Sequence, residues 1–320
     1  MNYREKHKQL RSILQKRVLT SITGDYVLYG LPYYDNIGDT LIWNGSLDLL
    51  KECGHKCLET CGWNDYPMTK LEEDVTILIS GGGYFGDVWR KAWQNVLDGI
   101  EPNKSNNIII LPCSIFYEDE VLRDKDAEYL AKFKNLKIFV RDEASLKIAK
   151  TYFKNQCELV PDMAFGMRKK TLQRWSRRKP MHKNLLFQRN DKERTTLPNG
   201  IPTDCEIHDW EAMERPMRGD RYLMRLYGWC HRLSFINASL PDNTRTWLLK
   251  TIRRKMLTAS GVRQLSRYET IYSTRLHATI LGMLLGRTVY FIDNSYGKIG
   301  SYYRTWLSDV DTVSPFTEEK

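Results

Sequence analysis

Long apolar runs are missing from this chain. No stretch approaches the roughly 20 residues that span a bilayer, which argues against an integral helical membrane protein. The first 21 residues carry Arg4, Lys6, Lys8, Arg11, Lys16 and Arg17 throughout and lack the apolar centre of a secretory signal. Cysteine is sparse and odd in number. Seven residues with no paired framework fit a reducing compartment, not a disulfide-stapled one. Internal repeats and low-complexity tracts are absent too, which excludes solenoids and linker-like chains. Acidic residues are outnumbered: 39 Asp and Glu face 49 Lys and Arg, a net charge of +10. So basic a chain attracts anions, but no nucleic-acid reading motif accompanies the charge. The expectation is a cytoplasmic protein that does not act on nucleic acid.

With 320 residues, 42% of them hydrophobic, the chain can fill one large or two ordinary domains. Residues 1–20 read as a basic helix with Leu10, Ile13, Leu14 and Val18 on one side. Packing of that side against the protein is favoured over a membrane anchor. Tyr26–Tyr29 reads as a first strand ended by Gly30, followed by a loop and a helix from Leu41 that Asp39 or Thr40 can cap. Val75–Ile79, Ile108–Leu111 and Lys137–Val140 are further buried strands, and Leu159–Asp162 looks like a strand end. Residues 25–165 thus read as β-α-β-β-α-β-α-β-α-β, a doubly wound α/β unit. The basic stretch 166–182 reads as a linker. A second α/β unit opens with Asn184–Gln188, and helices are expected over 222–238 and 244–257. Division near residue 168 gives domains 1–168 and 169–320.

Several stretches invite chemistry. Cys53, His55, Cys57 and Cys61 match no zinc spacing, so buried thiols are expected and no metal site. Gly81, Gly83 and Gly86 formally fit a dinucleotide fingerprint, but a unit precedes them and no acid for a ribose follows. They read as a tight turn before a helix from Val88. Either its backbone N–H groups approach a ligand, or it merely lets helix and sheet pack closely; the residues leave both open. Arg141 follows a strand, where an ion pair with Asp142 or Glu143 is favoured over anion binding. The stretch 269–306 is richest. It reads strand, loop, helix, strand, loop. Arg275 and His277 follow the first strand; Asp293, Ser295 and Lys298 follow the second. In an open parallel sheet such strand ends receive ligands. Alternate positions of extended chain would point Arg275 and His277 into one pocket.

These pieces occur in an ordered set: Asn36-Ile37-Gly38-Asp39, the run Gly81 to Asp87, Arg141 to Ser145, Pro161-Asp162, Arg189-Asn190-Asp191, Ser273 to His277, and Asp293 to Lys298. On them the chain resembles the polysaccharide pyruvyl transferase family. The resemblance implies two Rossmann-like domains facing across a cleft, similar to GT-B glycosyltransferases. It implies transfer of the enolpyruvyl part of phosphoenolpyruvate onto two sugar hydroxyls, leaving a pyruvate ketal and phosphate. The acceptor would belong to a bacterial exopolysaccharide, capsule or cell-wall glycan precursor, a lipid-linked one included. A GT-B glycosyltransferase using a nucleotide sugar is the alternative.

By the same resemblance, Arg189, Arg275, His277, Ser295 and Lys298 would bind phosphoenolpyruvate, with His277 catalytic. Asn36, Asp39, Gly82, Gly83, Tyr84 and Asp87 would line the acceptor side. No cofactor is implied beyond the donor substrate. Residue chemistry agrees: two arginines can grip a carboxylate and a phosphate by paired N–H bonds, and a histidine can give and retake a proton. If the acceptor is carried on lipid, the N-terminal helix or the 245–267 run would meet an anionic membrane at the inner face of the plasma membrane.

Overall fold

A computed structural model describes residues 1–67, 69–177, 179–190, 195–210, 249–293 and 297–317. The chain is mixed α/β with two parallel sheets. The first holds β1 (Tyr26–Leu31), β2 (Cys57–Gly62), β3 (Thr76–Ile79), β4 (Gly82–Gly86), β5 (Ile108–Phe116), β6 (Leu136–Val140) and β7 (Gln156–Leu159). Its order is β2-β1-β3-β5-β6-β7, and β4 pairs with the second half of β5. Every residue of β1 and β3 is buried, as an internal parallel strand requires, while the start of edge strand β2 is exposed. Helices α1 (Tyr3–Arg17), α2 (Ile37–Leu50), α3 (Arg90–Ile100), α4 (Glu120–Leu130), α5 (Glu143–Tyr152) and α6 (Lys169–Gln173) accompany this half.

The second sheet, in order β12-β11-β10-β8-β9, holds β8 (His182–Phe187), β9 (Glu206–His208), β10 (Tyr268–Ser273), β11 (Thr288–Phe291) and β12 (Val313–Pro315). With it go α7 (Arg254–Leu265), α8 (Leu276–Leu284) and α9 (Lys298–Trp306). Gly286 ends the α8 turn at φ 67°, the left-handed stop that its position after the apolar helix suggested.

Three expectations change. The glycine run is a strand, not a turn leading into a helix. β3 and β4 follow one another along β5, and α3 starts only at Arg90. A side chain at Gly86, φ 133°, would collide with the Phe116 carbonyl, so glycine serves strand-to-strand approach here. Second, Asn36 caps α2, accepting from the Asp39 N–H at 3.1 Å; Asp39 and Thr40 lie inside the helix. Third, Arg141 pairs with Asp162 rather than its neighbours, while Asp142 caps α5. The helix expected over 222–238 lies outside the described residues. Of 244–257, only the part from Leu249 is described: a π-turn over Leu249–Arg253 leading into α7.

Alternate strand residues face two cores. Val27, Tyr29, Ile77 and Ile79 pack under α3, α4 and α5. Leu28, Leu78, Ile109 and Phe139 face the other way and join one continuous core with Leu185, Phe187, Ile271 and Val289 of the second sheet. Leu10 and Leu14 of α1, and Val18 at its C-cap, are buried in that same core. At about 1.5–3 kcal/mol for each such side chain, α1 is packed on the protein by its apolar side. α2 is buried almost all round because it lies inside the shared core. Asn44 on α2 donates to Thr258 Oγ1 on α7 at 2.6 Å.

Candidate functional site

Each sheet reverses its strand order once. In the first, β1 is flanked by β2 and β3; in the second, β8 is flanked by β9 and β10. Ligands in open parallel sheets settle outside the strand ends at such points. Here both reversal points open on one cavity of about 660 Å³. Gly30, Pro32, Ser80 and Gly81 reach it from the ends of β1 and β3, and Arg189, Thr274 and Arg275 from the ends of β8 and β10. The first turns of α2 and α8 line it too, through Asn36, Asp39, Leu276 and His277. Helix N-termini carry partial positive charge and unpaired N–H groups, so both favour an anion there.

His277 is the second residue of α8, with Arg275 at its N-cap. The two share the cavity through a helix start, not through the extended alternation expected from sequence. The His277 side chain is 14% exposed. Its Nε2 has no hydrogen-bond partner among the described residues and lies 3.4 Å from Asp162 Oδ2. On the Nδ1 side, a Cβ placed on Gly38 would stand 2.7 Å from the ring, so Gly38 and Asp162 bracket the imidazole.

Asp162 is wholly buried. Arg141 Nη1 donates to its Oδ2 at 2.6 Å and the Ala164 N–H to its Oδ1 at 2.8 Å. Burial alone would raise its pKa. Interaction with His277 and with the Arg141 charge outweighs that and holds the carboxyl well below the ordinary range. Tyr302 and Trp306 of α9 close the group from behind: Tyr302 Oη accepts from the Asp162 N–H at 3.0 Å, and Trp306 Nε1 donates to the Arg141 carbonyl at 2.8 Å.

Arg275 meets a partner that the sequence did not suggest. Its Nε and Nη2 both donate to Asp209, the latter at 2.7 Å. Asp209 is itself held by the backbone N–H groups of Asn190 and Trp210, at 3.0 and 2.7 Å. This aims the guanidinium into the cavity by one edge. Arg189 lies alongside, its N–H donating to Thr274 Oγ1 at 2.7 Å. Across the cavity, Tyr34 Oη donates to Asp39 at 2.9 Å, and Trp63, Tyr66, Tyr84 and Trp89 supply aromatic wall, while Trp210 lines the Arg275 side. Burial, with the Asp39 charge as a lesser cause, pushes the Tyr84 phenol well up, so it stays a protonated donor.

Of the residues singled out from sequence, Asn36, Asp39, Gly83, Tyr84, Arg189, Arg275 and His277 line this cavity. Gly82 and Asp87 are not among its lining residues. Asp87 instead accepts from the Glu118 and Asp119 N–H groups, both at 2.7 Å, and pins that loop. Ser295 lies outside the described residues, and Lys298 opens α9. Asp293 caps α9 through the Ile299 and Gly300 N–H groups. Arg90 and Lys91 were missed, although they line the cavity from α3. Among the described residues no cluster of His, Cys, Asp or Glu could hold a metal. Cys57 is exposed, Cys53 half-buried and Cys61 buried, so the expected buried thiols hold only in part.

The polysaccharide pyruvyl transferase family model matches residues 36–296, a span that begins at the cap of α2. The chain belongs to this family. As a pyruvyl transferase family member it is 30% identical over 295 residues to a Bacillus subtilis (strain 168) protein named "Putative pyruvyl transferase EpsO", covering 91% of this chain and 87% of that protein. It is 24% identical over 304 residues to Pyruvyl transferase 1 of Schizosaccharomyces pombe, covering 88% of this chain and 69% of the relative. A crystal structure of an uncharacterised protein from Klebsiella pneumoniae shares the fold, with a TM-score of 0.61 at 18% identity over 96% of this chain and 98% of that one. The family makes the chain a transferase. No helix among the described residues is long and apolar enough to cross a membrane.

Proposed function

We propose that this transferase moves the enolpyruvyl group of phosphoenolpyruvate onto two hydroxyls of one sugar, forming a pyruvate ketal and releasing phosphate. The sugar belongs to a bacterial exopolysaccharide, capsule or cell-wall glycan precursor, and the reaction runs on the cytoplasmic side. The observation that carries this reading is the convergence of Arg189, Arg275 and His277, with the start of α8, on the cavity that also receives the aromatic wall of the first sheet. The two sheets then act as donor and acceptor halves, as in GT-B enzymes.

In this reading Arg189, Arg275, Lys298 and Ser295 hold the phosphate and carboxylate of the donor, with α8's first N–H groups beside them. Asp209 keeps Arg275 in register. Protonated His277 delivers its proton to the methylene carbon, leaving positive charge on C2. A sugar hydroxyl attacks C2, and its proton returns to His277. The C2–O bond to phosphate breaks, the second hydroxyl adds to C2, and its proton leaves with the phosphate. Asp162 stays ionised beneath His277 and stabilises the imidazolium without taking the proton. Asn36, Asp39, Tyr84 and the indoles orient the acceptor.

Mass spectrometry of the purified protein with phosphoenolpyruvate and a panel of galactosides, glucosides and mannosides tests this. A ketal on one sugar with equimolar phosphate is the expected result. Turnover of a nucleotide sugar with no use of phosphoenolpyruvate would overturn it.

A further inference from the structure

A second cavity lies at the opposite end of α8, which spans about 13 Å over its nine residues. It is a groove of about 880 Å³ between α1, α6 and the 284–287 turn. Seven of its lining residues are Lys or Arg, against one carboxylate, Glu52. Glu52 is taken by Arg11, and Arg168 is paired with Asp48. The other five, Arg4, Lys8, Lys169, Arg177 and Arg287, make no ion pair among the described residues.

A second observation is independent of charge. Arg168 Nε and Arg287 Nε are both buried and have no hydrogen-bond partner among the described residues. Arg287 is only 9% exposed, and its Nη2 is already spent on the Arg177 and Ser266 carbonyls. Buried donors without acceptors are costly; both side chains line the groove, so a small turn of either guanidinium would bring its Nε to an anionic oxygen there. The carboxyl end of α8 opposes an anion, so the cations of α1 and of residues 168–177 must carry the binding. The groove is roomier than one phosphate needs, and its cations come from three separate segments. Leu284 and Leu285 add an apolar border.

We propose that this groove binds a ligand bearing a diphosphate or a comparable cluster of phosphate groups, at a site separate from the transfer cavity. Neither a free soluble phosphate ester nor a lipid-borne diphosphate would alter the contacts at the head. The test is calorimetry on the full chain at about 150 mM salt, with inorganic diphosphate and geranyl diphosphate as probes. The exposed pair Lys8→Gln/Lys169→Gln should weaken inorganic diphosphate binding at least about tenfold with the melting temperature unchanged. Arg275→Lys should leave this binding event in place. Tighter binding of geranyl than of inorganic diphosphate supports the site with a lipid source; equal binding supports it with a soluble one. No binding, unchanged affinity in the double variant, or loss only in Arg275→Lys would overturn the proposal.

Discussion

Replacing Gly38 by alanine adds one methyl group where the imidazole of His277 now sits. The new Cβ would lie 2.7 Å from Nδ1, 3.1 Å from Cγ and 3.2 Å from Asn36 Oδ1. Ordinary contact begins near 3.5 Å, so the ring must withdraw by close to 1 Å. The backbone itself accepts the change. Gly38 is helical and is not among the glycines with positive φ, and alanine is the better helix former by up to about 1 kcal/mol. Fold stability should therefore hardly move, while the proton-transfer geometry is lost. A misplacement of about 1 Å typically costs about 10²-fold in rate, equal to about 2.7 kcal/mol of barrier. The assay is phosphate release from phosphoenolpyruvate with the acceptor found by the sugar screen, alongside a melting curve and donor calorimetry. The expected result is a fall in kcat of about 10²-fold with melting temperature and donor affinity near wild type. Gly54→Ala is the control, since nothing lies within 4 Å of its added Cβ, and it should change none of the three readouts. Turnover within about twofold of wild type in Gly38→Ala would refute His277 as the proton carrier held in this bracket.

Other outcomes follow from the same geometry. His277→Ala and His277→Gln should each cut turnover by about 10²–10⁴ and keep the fold; a melting loss that accounts for all the lost activity would make His277 structural. Arg275→Lys keeps the charge but loses the two-nitrogen grip on Asp209, so donor affinity by calorimetry should drop, and wild-type affinity would remove it from the donor site. Asp162→Asn leaves Arg141 buried without its counter-charge, at a cost of about 3–5 kcal/mol by denaturant unfolding. Because the folded pKa of Asp162 is depressed, its contribution is complete above the ordinary value of 3.8 and is lost as pH falls below it. The gap between wild type and Asp162→Asn should narrow below about pH 4; a gap that widens there would refute the sign. Alkylation read by peptide mapping should reach exposed Cys57 before buried Cys113, whose thiol burial pushes well up.

The internal strands were legible because a parallel strand buried on both faces needs an unbroken β-branched run, and Val75–Ile79 or Ile108–Leu111 can be little else. β4 was not, since glycines offer no side-chain period to read. His277 and Arg275 stood out as charge at the end of such a strand. Their partners did not. Asp209 is one acid after a three-residue exposed edge strand, 66 positions from Arg275. Asp162 was visible as a strand end and as one piece of the family's ordered set, with no role attached; its place under His277 depends on packing between halves. Asp87 and Gly82 carry the motif but serve the loop and the strand, a distinction that burial and hydrogen bonding make and spacing does not.

The core that runs unbroken from the first sheet to the second has a consequence for anyone hoping to recombine these enzymes. In proteins whose halves meet across a polar seam, one lobe can be exchanged for a relative's and a new specificity obtained. Here such an exchange would replace half of the surroundings of α2, which is buried among residues of both halves, and one partner of the Asn44–Thr258 bond. A chimera joined near residue 168 would expose mismatched apolar surface on each side. Under the proposed function, acceptor choice in this chain is better altered by changing the loops after β1 and β3, leaving the shared interior as one inherited piece.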